Sequence, residues 1–185
     1  MGSGSLDPHL ELPIIDKSLQ MLEEDFAPFR QLNQCPAAMT AHILINAIDK
    51  KNPLTQSKLG IEKLIRQNLN YDGFLISDAI DMHALSGSIG EKTRYSLQAG
   101  CDAICYCGGI AAEIEEVIDN CEILRDNSGI RFERIKKIIH NRKRINNIQI
   151  SADRYRELIG TTEEYNDNYD ATEILQQMQN RKGDK

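Results

Sequence analysis

Four short stretches of the chain hold residue types that can act on a substrate. Asp78 directly follows the run Phe74-Leu75-Ile76-Ser77. A carboxylate placed there is rigidly held and partly out of water, which suits a nucleophile or an electrostatic stabiliser. The position equally suits a helix N-cap or a loop brace, and Asp81, three residues on, reads as the cap. Near the amino terminus, Asp7-Pro8-His9 sets a carboxylate two residues from an imidazole. Such a carboxylate can hold the ring and raise its basicity, while an extended polar arm is the plainer alternative. His42 closes Met39-Thr40-Ala41-His42, and Cys107-Gly108-Gly109 offers backbone groups rather than a titratable side chain.

Other chemistries find little support. A metal site would have to be assembled from His9, His42, His83, Asp78 and Asp81, and no two of the histidines have ligand spacing on one helix. No metal and no cofactor are therefore expected. The chain has no P-loop, no GxGxxG and no G-x-S-x-G elbow. With 22 basic against 28 acidic residues and a net charge of −6, it lacks the basic excess that nucleic-acid phosphates call for. No run of about 18 apolar residues is present to cross a membrane. The five cysteines are Cys35, Cys101, Cys105, Cys107 and Cys121. Three of them share the apolar run Cys101–Cys107 at spacings that put them on one strand face, so they read as buried, reduced thiols of a cytoplasmic protein.

The elements that must position these residues alternate. Leu19, Leu22, Phe26 and Phe29 make one face of a helix over 18–32. Cys35–Ile45 reads as a buried strand, and residues 55–69 as a second helix with Leu59, Leu64, Ile65 and Leu69 facing in. Phe74–Ser77 is a short strand after the turn Tyr71-Asp72-Gly73. A helix over 91–99 stops at Gly100. Cys101–Cys107 is the third strand, and the helix over 110–124 carries Ile110, Ile114, Val117, Ile118 and Cys121 on one face. Residues 130–146 form a basic amphipathic helix with Ile130, Ile135, Ile138 and Ile139 as its stripe, read as a packing helix with a solvated basic face. From 147 on, the sequence is polar and reads as a flexible tail. Residues 1–6 read as a leader. The class is α/β with parallel strands.

The ordered set Asp7-Pro8-His9 with Leu12-Pro13, Ser18-Leu19 leading to Asp25-Phe26-Ala27-Pro28-Phe29-Arg30, Met39-Thr40-Ala41-His42, Tyr71-Asp72-Gly73-Phe74-Leu75-Ile76-Ser77-Asp78, Asp81-Met82 and Ala99-Gly100-Cys101-Asp102 resembles the carboxyl-terminal part of a bacterial glycoside hydrolase family 3 β-N-acetylhexosaminidase, the type that recycles cell-wall fragments. The likeness covers about residues 7–146. It implies the last three strand–helix units of a TIM-like barrel, an incomplete barrel with a closing basic helix. It also implies removal of a terminal β-linked N-acetylglucosamine with retention, through a covalent glycosyl-enzyme. On that resemblance Asp78 matches the nucleophile, His9 the acid/base and Asp7 its dyad partner, while His42 and Met82 would line the sugar pocket. The family's Lys-His-x-Pro-Gly-His-Gly segment would precede Asp7, where a Gly/Ser leader stands. A complete barrel takes about 250 residues, against 185 here. The alternative expectation is a non-catalytic fragment from a split or truncated gene, needing a separate amino-terminal half-barrel chain or associating with itself.

Overall fold

Ile14–Ile15 forms the first strand, β1, followed by α1 (Glu23–Gln31), β2 (Ala37–Met39) and β3 (Leu44–Ile45). A 3-10 turn at Leu54–Gln56 leads into α2 (Lys58–Gly60), which runs on as a π-helix over Ile61–Asn68. Then come β4 (Phe74–Ala79), α3 (Ile89–Ala99), β5 (Ala103–Cys105), α4 (Ala111–Asp119) and α5 (Asp126–His140). The computed structural model describes residues 6–124 and 126–141. The expected tail from 147, the last residues of the expected basic helix and nearly all of the leader lie outside the described residues.

The strands make two parallel sheets, β1 with β3, and β2-β4-β5 with β4 in the middle. In the second sheet Ala37 lies opposite Phe74, Met39 opposite Ile76, and Ile76 opposite Ala103. The single strand expected over Cys35–Ile45 is thus two strands in two sheets. The chain breaks between them because Thr40 and His42 turn inward to make side-chain bonds, and Ile43 N–H closes a tight turn on the Ala41 carbonyl at 3.0 Å. β1 escaped sequence reading because two residues give no periodicity to detect.

One core joins the two sheets. Leu22 and Phe26 of α1, Ile15, Ile43 and Ile45 of the β1/β3 pair, Ile61, Leu64 and Ile65 of the π-helix and Leu75 of β4 are all buried together. Half of the α1 stripe is missing from it, since Leu19 and Phe29 are each 47% exposed. The stripe over 55–69 has one miss. Leu64, Ile65 and Leu69 are buried as expected, while Leu59, in α2 ahead of the π-helix, is exposed and Ile61 takes the inward place.

α3 begins with a complete capping box, in which Ser88 accepts from Glu91 N–H and Glu91 reaches back to Ser88 N–H. It ends on Gly100 at φ 118°. An added Cβ there would sit 3.1 Å from Ile61 Cγ2, so both strain and crowding oppose a side chain. Gly100→Ala is expected to lower stability by about 1–2 kcal/mol, read as a lower urea midpoint with an unchanged slope.

The amino-terminal ends of β4 and β5 meet at Asp102, which is 3% exposed. Its Oδ2 accepts from Leu75 N–H at 2.8 Å and from Arg66 at 3.0 Å. Its Oδ1 accepts from Ser128 and, at 3.1 Å, from Arg131. Arg66 also donates to the carbonyls of Tyr71 and Gly73, and Arg131 and Arg134 both reach Asp72 at 2.8 Å. These bonds dock α5 under the sheet, aided by Phe132 against Phe74 at 5.8 Å between centroids. The expected isoleucine stripe does not dock it, because Ile130, Ile138 and Ile139 are exposed. The basic face is accordingly only partly solvated.

Candidate active site

β4 delivers Asp78 to the carboxyl end of the sheet, next to last in a strand flanked on both sides. Reactive groups gather at that end in parallel α/β folds. Asp78 is half-buried, and its Oδ1 accepts from the N–H of the next residue, Ala79, at 2.9 Å. Its own N–H donates to Thr40 Oγ1 at 3.3 Å, so the end of β2 fixes the backbone from which the carboxylate rises.

Thr40 belongs to a buried chain of hydrogen bonds. His42 Nε2 faces the Ala79 carbonyl at 3.0 Å, and a carbonyl only accepts, so Nε2 carries the proton. Nδ1 lies 2.8 Å from the Thr55 hydroxyl, which also faces the Ala41 carbonyl at 3.2 Å. Thr55 Oγ1 also lies 2.9 Å from Thr40 Oγ1, the oxygen that accepts Asp78 N–H. His42 is wholly buried with both ring nitrogens occupied, so it holds the Asp78–Ala79 peptide from beneath rather than offering a free nitrogen at the surface. It acts as a positioning residue.

Burial pushes the His42 pKa down, against opposing pulls from the Ala79 carbonyl and the Asp78 charge. The unfolded chain takes up a proton that the folded protein refuses. Stability is therefore full above the ordinary imidazole value of 6.5, falls as pH drops below it, and levels off once the folded ring itself protonates. Urea midpoints measured between about pH 7 and pH 5 should decline with acidity. His42→Gln, which can still donate to Ala79, should flatten that decline.

The loop after Asp78 is braced on three sides. Met82 N–H bonds the Ala79 carbonyl at 3.2 Å, and the Met82 side chain is 8% exposed. Asp81 caps no helix, contrary to the sequence expectation, since Ser88 caps α3. Asp81 instead accepts from Cys107 N–H at 2.9 Å, joining this loop to the exit of β5. Lys92 of α3 is 7% exposed and bonds the Met82 carbonyl at 3.4 Å. Its pKa is pushed down by burial and held up in part by Asp81 and Glu113.

The third brace brings in the amino-terminal residues. Asp7 Oδ1 lies 2.7 Å from His9 Nδ1 and also accepts His9 N–H at 3.0 Å. These bonds, the backbone one first, hold the Asp7 carboxyl below its usual range. The proline between them turns its carbonyl to Ala84 N–H at 3.3 Å. The Asp7–His9 pair is thereby pinned at Ala84 to the loop that follows β4. Both members of the pair are exposed. His83 is exposed as well, and among the described residues no three His, Cys, Asp or Glu side chains form a metal-binding group.

Thr55, Lys92 and Asp102 went unassigned in the sequence reading. Lys92 left a signal, because it stands on the same inward stripe as Ile89, Thr93, Ser96 and Ala99, where a lysine is out of place. Thr55 left none. The thiols differ from expectation too. Cys101 is buried and its pKa is pushed up to about 12 by burial, but Cys107 and Cys121 are exposed. Only Cys105 of the three clustered cysteines lies in β5, because the strand is three residues long rather than seven. A separate cavity of about 310 Å³ lies between α1, β2 and the π-helix, lined by Phe29, Leu32, Met39, Leu64, Leu69 and Tyr71. It is apolar, and its lining holds no carboxylate or imidazole.

Comparison with known proteins fits this geometry. The family profile described as "Glycosyl hydrolase family 3 N terminal domain" matches residues 1–138. A "Beta-hexosaminidase" of Alkalilimnicola ehrlichii is 38% identical over 111 residues, which is 57% of this chain and 32% of the relative. A solved glycoside hydrolase family 3 beta-N-acetylglucosaminidase from Paenibacillus sp. superposes with a TM-score of 0.67 at 30% identity, covering 74% of this chain and 29% of that one. NagZ from Neisseria gonorrhoeae, solved with N-trifluoroacetyl-D-glucosamine, superposes with a TM-score of 0.58 at 30% identity, covering 69% of this chain and 37% of that one. The chain thus spans about a third of the length of the curated relatives it matches. The profile covers well over half of the residues, and the parallel α/β units agree with the family's TIM-like barrel. On both counts the chain belongs to glycosyl hydrolase family 3.

Proposed function

We propose that this chain carries the reacting groups of a retaining exo-β-N-acetylglucosaminidase that acts on cell-wall (peptidoglycan) fragments in the cytoplasm. The observation behind this reading is the Asp7–His9 pair at 2.7 Å, bonded through Pro8 to Ala84 in the loop that follows Asp78 and the end of β4. On this reading a nucleophile and a proton carrier share one mouth of the sheet. Asp78 attacks the anomeric carbon while His9, held by Asp7, gives its proton to the leaving oxygen. A glycosyl-aspartate results. Water then adds to the anomeric carbon as His9 takes its proton, which frees Asp78 and yields the sugar with its configuration retained. His42 acts from beneath, by fixing the peptide that bears Asp78, and Met82 shapes the loop beyond it.

A second reading is favoured by the sheet. Among the described residues β2 and β5 are both edge strands, and Met39 on β2 is 55% exposed. Parallel edges of this kind take up further strands. In this reading the described strands are an arc of a barrel, completed by an amino-terminal half-barrel chain or by self-association, and the chain alone is a scaffold.

Release of a chromogenic aglycone from an aryl N-acetylglucosaminide tests both. Turnover by the chain alone supports the first reading. Turnover only after mixing with a separately produced amino-terminal half supports the second. No turnover in either sample overturns the enzymatic proposal.

A further inference from the structure

The exit of β5 carries two thiols that the proposed hydrolysis does not use. Cys105 ends the strand and Cys107 lies two residues on, beyond it, and their sulfurs lie 3.7 Å apart. Cys107 is exposed and Cys105 half-buried, and neither is in a disulfide. The residue between them is anchored on the other side. Tyr106 donates its hydroxyl to Glu113, accepts from Ile110 N–H at 3.2 Å, and packs its ring against the Ile80, Leu85 and Ile89 cluster.

We propose that Cys105 and Cys107 are a modification site, closing to a reversible intrachain disulfide on reaction with small-molecule disulfides. The exposed Cys107 reacts first. Its thiolate displaces one thiol from the small disulfide and is left as a mixed disulfide. Cys105 then attacks the Cys107 sulfur and expels the second small thiol. Two cysteine thiols become one S–S bond, one small disulfide becomes two thiols, and the two cysteine protons pass through solvent to the released thiols. The roles follow from placement, since Cys107 is exposed and Cys105 is half-buried beside it.

The sulfurs must approach to about 2.05 Å. A ring that spans a single intervening residue is strained, and strained disulfides are the easily reduced, regulatory kind. The strain has a direct path to the candidate site. Cys107 N–H donates to Asp81 at 2.9 Å, and the Cys105 carbonyl accepts Ile80 N–H at 3.0 Å. Closing the ring pulls on both bonds, and therefore on the loop that follows Asp78. Cys101 takes no part, being 4% exposed with its sulfur 3.7 Å from the Thr55 carbonyl. The proposal concerns thiols alone and stands whether or not the chain hydrolyses a glycoside.

The test uses the full chain carrying Cys121→Ser, which leaves four of the five thiols. After reduction and exposure to oxidised glutathione, two thiols are expected to vanish together without dimer formation. Chymotryptic cleavage after Tyr106 in the alkylated, denatured protein should leave two fragments joined until reduction. Adding Cys105→Ser should instead trap one glutathione on Cys107. The Ile80 and Asp81 amide resonances should shift on oxidation and return with dithiothreitol. Glutathione retained on Cys107 in the presence of Cys105, a link to Cys35 or to a second chain, or unmoved amides would overturn the proposal.

Discussion

Asp78→Asn is expected to remove essentially all hydrolysis of an aryl N-acetylglucosaminide, a fall on the order of 10³-fold or more in kcat, in whichever sample the unsubstituted chain turns over. The size follows from the proposed role, since an amide cannot form the glycosyl-aspartate and the barrier returns to that of direct attack by water. The fold should barely respond. Asp78 is half-buried at a strand end, and asparagine keeps an oxygen for Ala79 N–H, bonded at 2.9 Å in the native chain. A second measurement separates a nucleophile from an electrostatic helper. With Asp78→Ala, added azide should restore turnover by attacking the anomeric carbon in the space left by the carboxylate, and the glycosyl azide should have inverted configuration. Retained product, or a variant with more than a tenth of native activity, would remove Asp78 from that role.

Asp102→Ala is expected to act in the opposite sense, on stability rather than chemistry. Two guanidinium groups, Arg66 and Arg131, share this buried carboxylate, and Leu75 N–H and the Ser128 hydroxyl also depend on it. Breaking a buried pair by removing one partner costs about 3–5 kcal/mol. Both arginines keep other acceptors at Tyr71, Gly73 and Asp72, so the lower end, about 3 kcal/mol, is expected. Urea unfolding measures it, and amide exchange over α5 should quicken because Ser128 and Arg131 lose their anchor. A loss below about 1 kcal/mol would mean that the network contributes no more than surface ion pairs do.

The sequence was most legible where a residue's neighbours in the chain decide its structure. The stop at Gly100 needs only a glycine after a helical run, and the Asp7–His9 contact needs only a two-residue spacing with proline between. The apolar run Phe74–Ser77 led directly to Asp78 at a strand end. Reading failed where partners come from afar. Nothing near Thr55 announces that its hydroxyl will meet His42 and Thr40, and nothing near Asp102 announces two arginines from different helices. The break at Thr40–Ile43 was invisible because inward polar side chains look, in a list of residues, like ordinary members of an apolar strand. The stripe over 55–69 was right at Leu64, Ile65 and Leu69 and wrong at Leu59, which the other three leave on the opposite side of the helix.

β4 holds its structural tie and its reactive group at opposite ends. Leu75 N–H answers to Asp102, and Asp78 stands three residues further along the strand, about 10 Å away at 3.3 Å per residue. At that range effects on folding free energy combine additively. If Asp78 is the nucleophile as proposed, the two demands that usually collide in an enzyme, robustness and turnover, fall on separate residues. Replacements that strengthen the arginine-lined foot should leave reaction rate untouched, which makes that foot the place to begin hardening the protein for use at higher temperature.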